Sequence, residues 1–146
     1  EIEWAGHPNW FFRMSKFTLP FLKHPAVPRT SFLHELKSIP DDLENYVLKP
    51  LYSFAGSGVV VGPTRAEVDA IPESKRGEYI LQERVEYAPV VNAIPGPTKA
   101  EVRIMFIWLD ELQAVVNLVR MGRGKMMGVD YNKNLTWVGS SAGLYL

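Results

Sequence analysis

Apolar residues run through this chain in short stretches whose spacing differs between its two halves. In "NWFFRMSKFTLPFLKH", residues 9–24, positions Phe12, Lys16 and Leu19 fall three to four apart, which predicts a short helix that Pro20 bends or ends. "PAVPRTSF" follows as an extended, proline-punctuated connection. "SIPDDLEN" supplies turn and cap residues ahead of "YVLKP", a short strand, and Val59, Val60 and Val61 form the next one. "PTRAEVDAI" opens a helix with Thr64 as its N-cap and Glu67 three residues on, the spacing of a capping box. "GEYILQERVEYAPVV" reads as a strand and then extended chain.

Beyond residue 99 the apolar runs lengthen. "AEVRIMFIWLDELQAVVNLVRMG", residues 100–122, reads as two long apolar strands joined at "LDEL", a hairpin. "MGRGKMMG" is a glycine-rich turn, and "DYNKNLTWVGSSAGLYL" is loop with one last strand. There is no internal repeat and no low-complexity tract. The reading is α+β, with an N-terminal helical segment at residues 1–24, a small lobe at 25–88 and a β-rich segment at 89–146.

Composition narrows the functional classes. An apolar content of 47% with 22% charged residues is that of an ordinary globular chain. Sixteen basic and sixteen acidic residues cancel, so no global field draws in nucleic acid or an anionic membrane, and any bound anion needs a local site. The absence of cysteine excludes disulfides, thiol nucleophiles and cysteine-ligated zinc, and suits a cytoplasmic setting. No apolar run reaches membrane-spanning length. A first residue of Glu rather than Met is read as the mark of a longer parent chain.

Three constellations carry candidate chemistry. In "YVLKPLYSFAGSGVVVG", Lys49 ends a strand, Pro50 holds it extended, and Gly56 and Gly58 let loop N–H groups approach a phosphate without Cβ interference. The same residues also suit a plain hairpin with a solvated lysine, and G-x-x-x-x-G-K-[ST] is absent. "YILQERVEY" could offer a strand edge to an adenine and a carboxylate to a ribose, or could be an edge strand with polar residues turned outward. Arg103 and Arg120 stand in apolar strands, where a guanidinium needs a partner. Glu101 is at hand for Arg103, whereas Arg120 has no acidic residue close in sequence and is the stronger candidate for an anion. His7, His24 and His34 lack a metal-binding spacing, and Ser140 and Ser141 do not sit in G-x-S-x-G. Asp130, Asn132 and Asn134 could ligate a hard cation or form a turn, and Trp4, Trp10, Phe11 and Phe12 read as core.

The order of these pieces resembles the C-terminal part of the ATP-grasp fold, and within it the synthetase domain of glutathionylspermidine synthase and its relatives. The likeness rests on "WFFRMSKFTLPFL", "VLKPLYSFAGSGV", "YILQERVEYAP" and "VVNLVRMGRG", and covers nearly the whole chain from Trp10 onward. It implies that Lys16 and Lys49 contact ATP phosphates and that the loop from Ser53 through Gly56, Ser57 and Gly58 covers them. Gln82, Glu83, Arg84 and Val85 would line the adenine. Arg120 would stabilise charge on the reacting phosphoryl or acyl-phosphate, with Arg103 a second candidate. The resemblance implies ATP and Mg2+ as cofactors, a carboxylate and an amine as substrates, and the rest of a parent chain as a partner. The Glu-x-Asn pair that commonly binds magnesium in this fold is absent, so the chain is expected to carry nucleotide contacts without metal ligands and not to turn over alone. Two other readings remain: a non-catalytic nucleotide-binding module, and a β-rich interaction domain whose glycine loops are only turns.

Overall fold

The computed structural model describes residues 15–128, 131–136 and 138–143. The chain divides into two compact units, Glu1–Val85 and Glu86–Leu146. Both are built on antiparallel sheets with little helix, an α+β architecture.

The first unit holds β1 (Thr30–Phe32), β2 (Tyr46–Pro50), β3 (Val60–Val61) and β4 (Tyr79–Glu83) in the order β1-β4-β2-β3. Side chains alternate across a strand, so register decides which residues share a face. Leu48 pairs with Leu81 and with Val60, and this face packs on Leu33, Ile39, Leu43 and the fully buried Val68. Val68 comes from α1 (Arg65–Asp69), whose start is the predicted capping box: Thr64 Oγ1 accepts from Glu67 N, and Glu67 Oε2 accepts from Thr64 N at 2.7 Å. On the opposite face Lys49 pairs with Ile80, Val47 with Gln82, and Thr30 and Phe32 with Gln82 and Ile80. That face is only partly covered. Leu19 of the 3-10 helix Lys16–Phe21 packs there on Phe32, Leu51 and Ile80, and the rings of Phe17 and Phe21 lie 5.3 and 5.8 Å from that of Phe32.

The helix predicted over residues 9–24 is, in its described part, this tighter 3-10 turn. Pro20 inside it has no N–H to give and crowds the preceding turn, which disfavours an α-helix; Ser15 Oγ caps the start by accepting from Phe17 N. Trp4, His7, Trp10, Phe11 and Phe12 lie outside the described residues.

In the second unit β5 (Pro89–Ala93), β6 (Gly96–Trp108), β7 (Leu112–Gly122) and β8 (Gly139–Ala142) pair in sequence order. The predicted β6–β7 hairpin is present, with Leu109 N donating to Glu111 O across its turn. β6 begins four residues earlier than the apolar run does, because β5 folds back onto Gly96–Lys99 through a turn that needs Gly96 at φ +124. β8 pairs only with Leu118–Met121. Among the described residues the outer part of the hairpin therefore has no third strand beside it. Its side chains are exposed on both faces, Val102, Ile104 and Phe106 as well as Met105 and Ile107, with Trp108 72% exposed. No helix among the described residues is long and apolar enough to cross a membrane.

Candidate anion-binding site

The incompletely covered face of the first sheet carries a polar chain built from three strands. Lys49 Nζ donates to Gln82 Oε1 at 2.5 Å, Gln82 Nε2 donates to Thr30 Oγ1 at 2.8 Å, and that hydroxyl donates to Pro28 O at 3.0 Å. Gln82 is 7% exposed and Thr30 5%, so each partner is fixed by burial as well as by bonding. The amide has one orientation that satisfies both neighbours, its oxygen toward the ammonium and its nitrogen toward the hydroxyl. Pro50 keeps Lys49 extended and on this face.

Lys16 reaches the same region from the 3-10 helix. Its Nζ donates to Ser53 Oγ at 2.8 Å and Ser53 O at 2.9 Å, with a longer contact to Leu51 O at 3.5 Å. It thereby ties the start of the glycine loop to the 3-10 helix. Burial lowers the proton affinity of both lysines, and the charge of Lys16 lowers that of Lys49 further. Two ammonium groups thus lie within each other's field, and neither forms an ion pair among the described residues. Excess positive charge at the end of a sheet, half desolvated, favours an anion.

The loop beyond Ser53 makes its own turns, Ser57 N donating to Phe54 O and Val59 N to Gly56 O. Ala55, Gly56 and Gly58 all take left-handed φ, and a Cβ on Gly58 would stand 2.8 Å from Pro50 Cγ. The loop therefore folds back against the strand end that carries Lys49.

The expectation that Gln82 and Glu83 present a free strand edge is corrected. β4 is an interior strand flanked by β1 and β2. Glu83 N donates to Arg29 O, Arg84 N donates to Asn45 O, and the Gln82 side chain is spent on Lys49 and Thr30. Glu83 alternates to the other face, where Arg29 Nε and Nη2 meet its carboxylate at 2.6 and 2.5 Å and hold its pKa below the usual range. Arg84 Nη1 reaches Glu44 O at 3.5 Å, and Val85 is exposed. Glu83, Arg84 and Val85 line an open hollow of about 480 Å³ together with His24, Val27 and Arg29.

Arg103 and Arg120 belong to the second unit and gather on one carboxylate. Glu101 pairs across the hairpin with Arg120, whose Nε and Nη2 donate to Glu101 Oε1 at 3.0 and 2.8 Å and whose Nη2 also reaches Oε2 at 3.0 Å. Arg103 Nε donates to the same Oε1 at 2.6 Å, and Tyr87 OH lies 3.5 Å from Oε2. The Arg103–Glu101 pairing that sequence offered is present. The reading of Arg120 as lacking an acidic partner is corrected: the hairpin brings a carboxylate nineteen positions away to its side. Burial pushes the Glu101 carboxyl up, but the hydrogen bonds and charges of Arg103 and Arg120 outweigh it and hold the group below its ordinary value.

The "DYNKN" segment is a structural clamp in its described part. Asn132, 5% exposed, accepts from Arg123 N and Gly124 N through Oδ1 and donates through Nδ2 to Met126 O and Gly128 O. Its oxygen is occupied by backbone donors, which favours the turn over the cation ligand of the two readings sequence offered for this residue; Asn134 is exposed, and Asp130 lies outside the described residues. No group of three or more His, Asp or Glu side chains that could hold a metal occurs among the described residues. Asn132→Ala removes four bonds, yet the loop can fray into water. The expected loss is about 1–2 kcal/mol in denaturant unfolding, with faster amide exchange confined to residues 123–128 and 131–135.

Thr30, Glu101 as a partner of Arg120, and Asn132 as a clamp were not separable from sequence, since each acts through a strand or loop pairing that leaves no local pattern. No protein-family model matches the chain, and neither a curated protein nor a solved structure matches it.

Proposed function

We propose that this chain carries the ATP-binding portion of an ATP-grasp ligase that activates a carboxylate as an acyl-phosphate and joins it to an amine. The observation that carries this reading is the gathering of Lys16, Lys49, Ser53 and Gln82 on one face of a sheet, with a glycine loop folded against the same strand end. In this reading the two ammonium groups meet phosphate oxygens, and Lys16 exchanges a carbonyl partner for one of them. Backbone and side chains at Glu83, Arg84 and Val85 border the adenine in the hollow they line. Arg120, fixed by Glu101, and Arg103 beside it are candidates for stabilising charge on the reacting group. The described residues offer no acidic cluster that fits magnesium, so no step is assigned to the metal.

Calorimetry with Mg·ATP tests the reading. Saturable heat is expected, with no ADP released when candidate acids and amines are added. Steady ADP production would show that this chain completes the chemistry unaided. Absence of nucleotide binding would overturn the reading in favour of the interaction-domain alternative, which one observation favours: the hairpin of the second unit exposes apolar side chains on both faces.

A further inference from the structure

We propose that Lys49 is an acylation site, a lysine whose side-chain nitrogen is modified by small acyl phosphates held beside it by the ammonium of Lys16. The inference rests on the reading of this face as a phosphate site, and adds a covalent fate for one of its two cations.

Acyl transfer to an amine needs a free lone pair next to an anchored phosphate. The two lysines divide those tasks by their hydrogen bonds. Lys16 has acceptors for all three of its N–H groups, in Ser53 Oγ, Ser53 O and Leu51 O, so the structure holds it as a cation with no lone pair to offer. Among the described residues Lys49 has one acceptor, Gln82 Oε1, and an uncharged amine can keep that bond while its lone pair points elsewhere. Gln82 cannot turn its nitrogen toward Lys49 without drawing the Thr30 hydroxyl proton away from Pro28 O. Burial and the neighbouring charge of Lys16 both ease loss of the Lys49 proton.

In the reaction the Lys49 nitrogen attacks the carbonyl carbon of the acyl phosphate. The C–N bond forms, the bond from that carbon to the phosphate oxygen breaks, and inorganic phosphate leaves with the electron pair and accepts the amine proton. Exposed lysines differ in kind. Lys75, for example, is paired with Glu78, which raises its proton affinity.

The test exposes the folded chain to acetyl phosphate and, separately, to p-nitrophenyl acetate, which transfers the same acyl group without a phosphate. Acetyl occupancy at every lysine is then read by peptide mass spectrometry. Acetyl phosphate is expected to label Lys49 about tenfold over Lys23, Lys37 and Lys75. Inorganic phosphate should suppress that label, and with p-nitrophenyl acetate the preference should fall to the smaller part that easier loss of the Lys49 proton supplies. Labelling that follows exposure, or an equal preference for Lys49 with both donors, overturns the proposal. Lys16→Gln should cut Lys49 labelling by acetyl phosphate severalfold; if that variant does not fold, the donor comparison on the wild type decides. Mg·ATP binding with no selective label at Lys49 refutes this inference alone, whereas loss of both refutes the phosphate site itself.

Discussion

Lys49→Ala is expected to weaken Mg·ATP binding by about one to two orders of magnitude, the equivalent of losing one charge-assisted hydrogen bond of roughly 1.5–3 kcal/mol. Thermal stability should move far less. The substitution removes an ammonium that the fold half desolvates, which is favourable, and strips Gln82 Oε1 of its donor, which is not. The pH dependence separates the two effects. A lysine whose folded pKa lies below the unfolded 10.5 binds fewer protons in the native state, so stability rises with pH between the folded and unfolded values. Lys49 should therefore add stability as pH approaches 10.5, against the opposite shifts of Lys75 and Tyr87, and Lys49→Ala should rise less steeply than the wild type, since of the two site lysines only Lys16 keeps a lowered value. Calorimetry and thermal unfolding over the alkaline range measure both. Unchanged nucleotide affinity in the variant would remove Lys49 from the site.

What sequence made legible was local. Thr64 and Glu67 define a helix start from three residues of spacing, and the structure has both bonds of the box. "YVLKP" and the apolar runs on either side of "LDEL" declare themselves as strands because β-branched and aromatic residues cluster between turn residues. Sequence also placed Lys49 at a strand end before a loop that needs positive φ, and the loop does use Gly56 and Gly58 that way. What it could not supply was neighbourhood. β4 reads alone as an edge strand, and only its pairing with both β1 and β2 makes Gln82 an interior residue with partners 33 and 52 positions away. The same blindness applied to Arg120, whose carboxylate is near only once the hairpin closes. At residues 16–21 helical spacing was outweighed by one proline, which left a 3-10 turn that still delivers Lys16 to the sheet. The site thus combines residues that local pattern identifies with partners that only long-range pairing assigns.

Glu101→Ala should be the most damaging single change in the second unit, lowering unfolding stability by about 2–3 kcal/mol near neutral pH. The figure lies below that for a fully buried pair because Arg120 and Arg103 are 25% and 50% exposed and water screens part of the loss. Glu101 itself is 19% exposed and takes bonds from both guanidiniums, so its removal leaves two cations on neighbouring strands without the carboxylate that joins them. Since the folded pKa of Glu101 is depressed below 4.5, its contribution is complete above that value and disappears as pH falls through the folded pKa. The wild type should therefore lose stability on acidification, and Glu101→Ala should start lower and have a shallower acid limb. Glu101→Gln separates charge from shape: its amide oxygen can still accept from one arginine, which predicts an intermediate loss and no titration. Urea unfolding of the three proteins at neutral and strongly acidic pH measures the differences. If Glu101→Ala matched the wild type at neutral pH, the carboxylate would not be what fixes Arg120, and the role proposed for that arginine would lose its structural basis.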